Sequence, residues 1–265
     1  MVGSRRVDHR FLLALLGVLP AVAAMFYFDW LDRRRPEPVW RMRLVVLVGM
    51  LSTLPVLAVE FGLGHFGPPP GSIHEALYGS YVVAAAPEEF AKLCVILLVV
   101  WRHPAFDERL DGIVYAAHAG LGFALVENVG YLFGSEDLEA YWATFVARAL
   151  LAVPGHAIWA GMMGYFAARR RFDKTGPGII GGFGLAWLLH GSYDAALSAM
   201  PLVSDELTVV LALVPVLIIV VGFLALRRMA RVALDLDDHA EVWGRILAGR
   251  SGAQARDGAS TQGPK

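Results

Sequence analysis

Residues 81–101 read YVVAAAPEEFAKLCVILLVVW, twenty-one residues apolar enough to cross a bilayer yet broken near the middle by Glu88, Glu89 and Lys92. A carboxylate at the centre of a span costs at least ~2.5 kcal/mol on insertion scales, and two adjacent ones cost more. Such a pair is kept for a use. Glu88 and Lys92 are four residues apart, share a helical face and can form an internal ion pair, while Glu89 is rotated about 100° away and three residues before Lys92. One carboxylate can thus be neutralised by the lysine and the other left free to take a proton or touch a metal. Pro87 lacks an N–H and is expected to loosen the turn before the acids. The plainer reading is an ion pair that locks one helix to another; the functional reading is a site.

The rest of the chain agrees with a membrane setting. Of 265 residues, 57% are hydrophobic and only 18% charged, and the mean hydropathy is +0.54, which excludes an ordinary soluble domain. A net charge of −1 provides no basic field for nucleic acid. The one cysteine, Cys94, lies inside the apolar stretch, so neither a disulfide framework nor a cysteine zinc site is expected.

Apolar runs near the ~20 residues that a bilayer requires occur at 11–30, 44–61, 77–101, 111–133, 141–168, 178–200 and 207–226. They predict an all-α polytopic membrane protein of about seven transmembrane helices. Residues 1–226 form one transmembrane domain with a motif-bearing core at 81–200, and 227–265 form a tail. Within the tail, 228–248 are expected to lie at the interface as an amphipathic helix using Val232, Leu236, Trp243 and Leu247. Residues 251–265 are expected to be disordered. The first run, preceded by Arg5, Arg6 and Arg10 and followed by Arg33, Arg34 and Arg35, reads as a retained anchor. Arginine and lysine gather in loops 31–43, 102–110 and 169–177 and after the last run, whereas 62–76, 134–140 and 201–206 have none. The positive-inside rule then puts the C-terminus in the cytoplasm and the N-terminus outside.

Three further spans carry polar groups. In 111–133, Phe123 and Glu127 share a face and Asn128 follows; Glu127 has no lysine in its own turn and needs a partner from another helix. His118 faces elsewhere and reads as structural or solvent-lining. The span 141–168 holds Arg148, expected to pair with a carboxylate, and Pro154, expected to kink the helix and present His156 inward. Gly161 and Gly164 read as a packing surface. In 178–200, His190 and Asp194 are four apart and able to reach one metal or one water. At 1.5 Å per residue, Glu88, Glu127, His156, His190 and Asp194 fall at similar depths, roughly 10–25 Å below the outer surface.

Glutamate and histidine without a serine or cysteine nucleophile suggest activation of water, by a carboxylate base or by a metal. A zinc ion is one expectation, with ligands drawn from Glu127, His156, His190 and Asp194. No HExxH is present, which excludes a zincin. A proton- or ion-coupled transporter and a non-catalytic scaffold use similar residues and stand as rivals.

Glu88-Glu89-x-x-Lys92, Phe123-x-x-x-Glu127-Asn128 and His190-x-x-x-Asp194, with Arg148 and His156 between them, resemble the PrsW family of intramembrane proteases. That family is similar in turn to the CAAX prenyl endopeptidases and the Abi proteins. The resemblance implies a bacterial inner-membrane endopeptidase acting on a single-span membrane protein, an anti-sigma factor in the best-studied case. It implies Glu88 and Glu89 as the catalytic pair, with Glu127, His190 and Asp194 completing the site and Lys92 and Arg148 serving it. It leaves open whether zinc is required or glutamate-activated water suffices.

Overall fold

The computed structural model describes residues 13 and 15–260, with side-chain surroundings through residue 243. Every regular element among the described residues is helical. In chain order these are α1 (Val18–Leu31), α2 (Val39–Leu51), α3 (Thr53–Gly64), α4 (Ile73–Tyr78), α5 (Ala86–Val99) and α6 (Arg109–Phe133). They are followed by α7 (Leu138–Ala147), α8 (Val153–Phe172), α9 (Gly178–Ala199) and α10 (Asp205–Ser260). Four segments are long and apolar enough to cross a membrane: Val39–Gly64, Arg109–Phe133, Leu138–Phe172 and Asp205–Trp243. The helix through Glu88, Glu89 and Lys92 and the one through His190 and Asp194 carry the polar groups that lower their hydropathy. Large apolar side chains such as Phe61, Leu98 and Ile180 point outward, as contact with lipid requires.

α6 is the buried axis of the bundle, and its small residues explain why. Gly112, Ala116 and Gly120 recur every fourth residue and face His156, Ala160, Gly164 and Ala168, which recur every fourth residue on α8. With so little side chain between them, the two helices meet backbone to backbone, the packing that drives helix association where lipid removes the hydrophobic force. A Cβ on Gly164 would fall on the Gly112 carbonyl oxygen. Gly164→Ala is therefore expected to destabilise the protein by about 1–3 kcal/mol, read as a lower unfolding midpoint in detergent. An unchanged midpoint would mean that α6 and α8 do not pack this closely. The same crossing matters for the site. Gly120 lies under the His156 backbone, and Glu127, two turns further along α6, shares that face.

The tail differs from expectation. No break follows residue 226; one helix runs from Asp205 to Ser260, including 251–260, while 261–265 and the arginines before residue 11 lie outside the described residues. Val232 and Leu236 are half-buried and Trp243 is exposed, whereas the docked face is Leu226, Ala230, Ala233 and Asp237. The physical reason is a polar latch. The Asp237 carboxylate accepts the Arg109 and Leu110 N–H groups at the start of α6, at 3.0 and 3.1 Å, and pairs with the Arg109 guanidinium at 2.9 Å. Asp238 pairs with Arg34 and Arg35. These contacts hold the tail upright against the arginine-rich end of the bundle.

Candidate active site

Two widened turns prepare the site. Residues Gly79–Ala85 and Arg148–Ala152 are π-helical, and each leads into a helix whose second residue is proline, Pro87 in α5 and Pro154 in α8. A missing N–H ahead of a helix invites such a bulge. Glu88 follows the first proline directly, and His156 follows the second by two residues, so each bulge re-aims a polar group toward the bundle interior.

Behind the cavity lies a locked group. Glu89 and Lys92 are completely buried, and the Lys92 ammonium donates to Glu89 Oε1 at 2.6 Å. It lies 3.5 Å from Glu88 Oε2, so the lysine belongs first to Glu89, which settles the choice between the two acids that the spacing left open. The i,i+3 rotamer reaches closer because Glu89 also holds His190 Nδ1 at 2.9 Å on the far side. Lys92 further contacts His156 Nδ1 at 2.8 Å and lies over the Phe123 ring.

In front is a cavity of about 440 Å³ bordered by Glu88, Glu127, Arg148, His156, His190 and Asp194. Five elements thus contribute: α5, α6, the π turn before α8, α8 itself and α9. Glu127 Oε2 lies 2.7 Å from His156 Nε2 and 2.9 Å from an Arg148 nitrogen. Neither approach is aligned as a hydrogen bond, and the oxygen has no donor. Arg148 is steadied by Asn128 at 2.6 Å and by the Tyr131 ring; the Asn128 amide in turn donates to the Gly17 carbonyl. The His190 Nε2 atom lies 3.2 Å from Asp194 and 3.9 Å from Glu88, and its ring stacks on Trp159. Both His190 nitrogens face carboxylates, so both are placed to donate.

The eight residues singled out from the sequence therefore cluster, six around the cavity and Glu89 and Lys92 behind it. The group that could hold a metal keeps Glu127 and His156 from the expected set, gains Glu88 and leaves out His190 and Asp194. Among the described residues, donor atoms of Glu88, Glu127 and His156 lie within 4.8 Å of one another. His190 and Asp194 pair with each other one step away. Glu88 Oε2, buried and lacking any hydrogen-bond donor, joins the group because the π turn rotates it there. Glu88, Glu89, Glu127 and Asp194 outnumber the permanent cations Lys92 and Arg148, an excess of negative charge that favours a bound cation or protonated imidazole. His118 is buried between the Val114 carbonyl and Asp29, a structural position away from this cavity.

One acid escaped notice in the sequence. Glu60 of α3 borders a second groove, about 640 Å³, together with Glu88 and Glu127. A lone carboxylate in the run 44–61 was the signal for it.

A profile of the PrsW family of intramembrane metalloproteases matches residues 37–223. The chain belongs to the PrsW family. It is 36% identical to Protease PrsW of Geobacillus kaustophilus over 71% of this chain and 81% of that protein. It is 32% identical to Protease PrsW of Bacillus subtilis over 72% and 84%, and 31% identical to that of Clostridioides difficile over 69% and 77%. No solved structure is a significant match. PrsW membership makes the chain an intramembrane protease, acting on protein, and the transporter and scaffold readings give way to it.

Proposed function

We propose that this protease cuts a single-span membrane protein with water activated between α5, α6 and α8, where Glu88, Glu127 and His156 hold zinc. The observation that carries the proposal is the pair of buried oxygens, Glu88 Oε2 and Glu127 Oε2, which lack hydrogen-bond donors and lie beside the His156 ring. Three protein ligands from histidine and carboxylate, with a further position left for water, are the usual make-up of a catalytic zinc site. Zinc bound there supplies a nucleophilic water at neutral pH and polarises the scissile carbonyl. His156 would hold the ion through Nε2, the nitrogen that faces Glu127, while Lys92 stays paired with Glu89 and Glu88, 2.6 and 3.5 Å away.

The remaining residues take separate parts. His190, facing carboxylates at both nitrogens, donates a proton to the leaving amine. Asp194, the more exposed partner at 27%, takes the proton that the attacking water loses and returns it to the ring. Arg148 fixes Glu127, and Glu89 with Lys92 positions His190 and the ligand cluster. We also infer seven crossings of a bacterial inner membrane, since Val18–Leu31, 73–99 and Gly178–Ala199 are helices interspersed among the four long apolar segments. The arginine-rich loops support a cytoplasmic C-terminus and an external N-terminus.

The test is reconstitution in liposomes with candidate single-span proteins from the same genome, membrane-bound anti-sigma factors first. Cleavage by the wild type that is lost in Glu88→Gln is the expected result. Ion flux without cleavage of any candidate would count against it.

A further inference from the structure

At the arginine-rich end of the bundle, far along α6 from Glu127, a groove of about 640 Å³ opens between α1 and α2. Its inner wall is apolar, formed by Val22, Met25, Phe26, Val46, Leu47 and Met50. Its other end is polar, with Asp29, Asp32, Glu37 and Arg43. The depth of that end is marked by Trp30 and Trp40, both exposed and each capped by an arginine, Arg33 and Arg41. Exposed tryptophans with flanking arginines sit at the headgroup level of a bilayer. The groove thus runs from the headgroup region into the hydrocarbon.

The polar end is built and incomplete. Asp32 is 4% exposed; its Oδ2 accepts the Glu37 N–H at 2.9 Å, while its Oδ1 is buried with no hydrogen-bond partner. Burial, and then the nearby carboxylates of Glu37, Glu108 and Asp29, push Asp32 up to about 7 against the pull of the Glu37 N–H. A buried carboxylate oxygen among other acids is stabilised by a proton or by a cationic donor. Asp29 lies alongside, paired with His118 at 3.2 Å but half exposed. Among the described residues, Arg43 makes no ion pair or hydrogen bond and is exposed on the same rim.

We propose that this groove binds one phospholipid with a primary-ammonium headgroup, of the phosphatidylethanolamine class. The ammonium donates to Asp32 Oδ1 and Asp29, the phosphate meets Arg43, and an acyl chain follows the apolar wall. A bare metal ion would use neither the guanidinium nor the apolar wall. A choline headgroup has the same charge but no N–H with which to satisfy the buried oxygen.

Native mass spectrometry of the full-length protein with phosphatidylethanolamine, phosphatidylcholine and phosphatidylglycerol of matched chains tests this. The wild type is expected to retain the ethanolamine lipid about tenfold over the choline lipid, the size of one charge-assisted hydrogen bond. Asp32→Asn keeps an acceptor for the Glu37 N–H and is expected to bring the two lipids near parity; Asp29→Asn, at a half-exposed position, is expected to narrow the gap in part. Arg43→Gln is expected to weaken both phosphate-bearing lipids alike. Equal retention of ethanolamine and choline lipids by the wild type, preference for phosphatidylglycerol, or an undiminished preference in Asp32→Asn and Asp29→Asn would each overturn the proposal.

Discussion

Glu88→Gln is expected to lower kcat/KM for a reconstituted substrate by on the order of 10³, about 4 kcal/mol of transition-state stabilisation. The two residues are nearly the same shape, and Glu88 Oε2 has no hydrogen-bond donor to lose. The substitution should therefore shift the stability of the metal-free protein, compared with metal-free wild type, by no more than about 1 kcal/mol. Activity lost with the unfolding midpoint kept separates a group that acts on water from one that holds the bundle together. A variant that still cleaves at more than a tenth of the wild-type rate would remove Glu88 from the chemistry.

Glu89→Gln is expected to fail in the opposite way, through stability first. Glu89 is completely buried and is the anion that neutralises Lys92 and fixes His190. Removing its charge strands an ammonium in a dry interior, at a cost of about 3–5 kcal/mol. For a chain of this size that is a drop in midpoint on the order of 10 °C. Lys92→Met should destabilise by a similar amount, and the double variant should recover part of the loss because neither member of the Glu89–Lys92 pair is left without the other. Cleavage should stay lost in all three, since loss of Glu89 frees His190 and loss of Lys92 removes the cation beside Glu88. Detergent melting curves for the two single variants and the double check this. A Glu89→Gln protein that melts like the wild type yet does not cleave would make Glu89 the acting acid and Glu88 its support.

These two expectations rest on geometry that the sequence only partly discloses. The four long apolar segments were legible because bilayer thickness sets their length, and the acids, histidines and Arg148 were legible because a charge inside a span is costly enough to stand out. The lysine's choice between Glu88 and Glu89 was not. It depends on His190, 101 positions away, taking the far side of Glu89. Pro87 and Pro154 hinted at loosened turns, yet that the chain answers with π turns that rotate Glu88 and His156 inward required coordinates. How the tail docks was hidden for a similar reason. Asp237 reads as one more polar residue on an amphipathic stretch until it is seen on the first turn of α6, 128 residues earlier in the chain. Periodicity reports which face is apolar; it does not report which distant N–H a carboxylate will cap. Glu60 was visible and passed over, and its place beside Glu88 and Glu127 makes it a natural participant in whatever enters the second groove.

The most direct measurement is the metal content of detergent-purified protein beside its cleavage rate. The wild type is expected to carry about one zinc per chain, and Glu88→Gln and His156→Ala far less, each with its helical circular dichroism unchanged. Wild-type protein stripped of all metal that cleaves its substrate at the full rate would contradict the account.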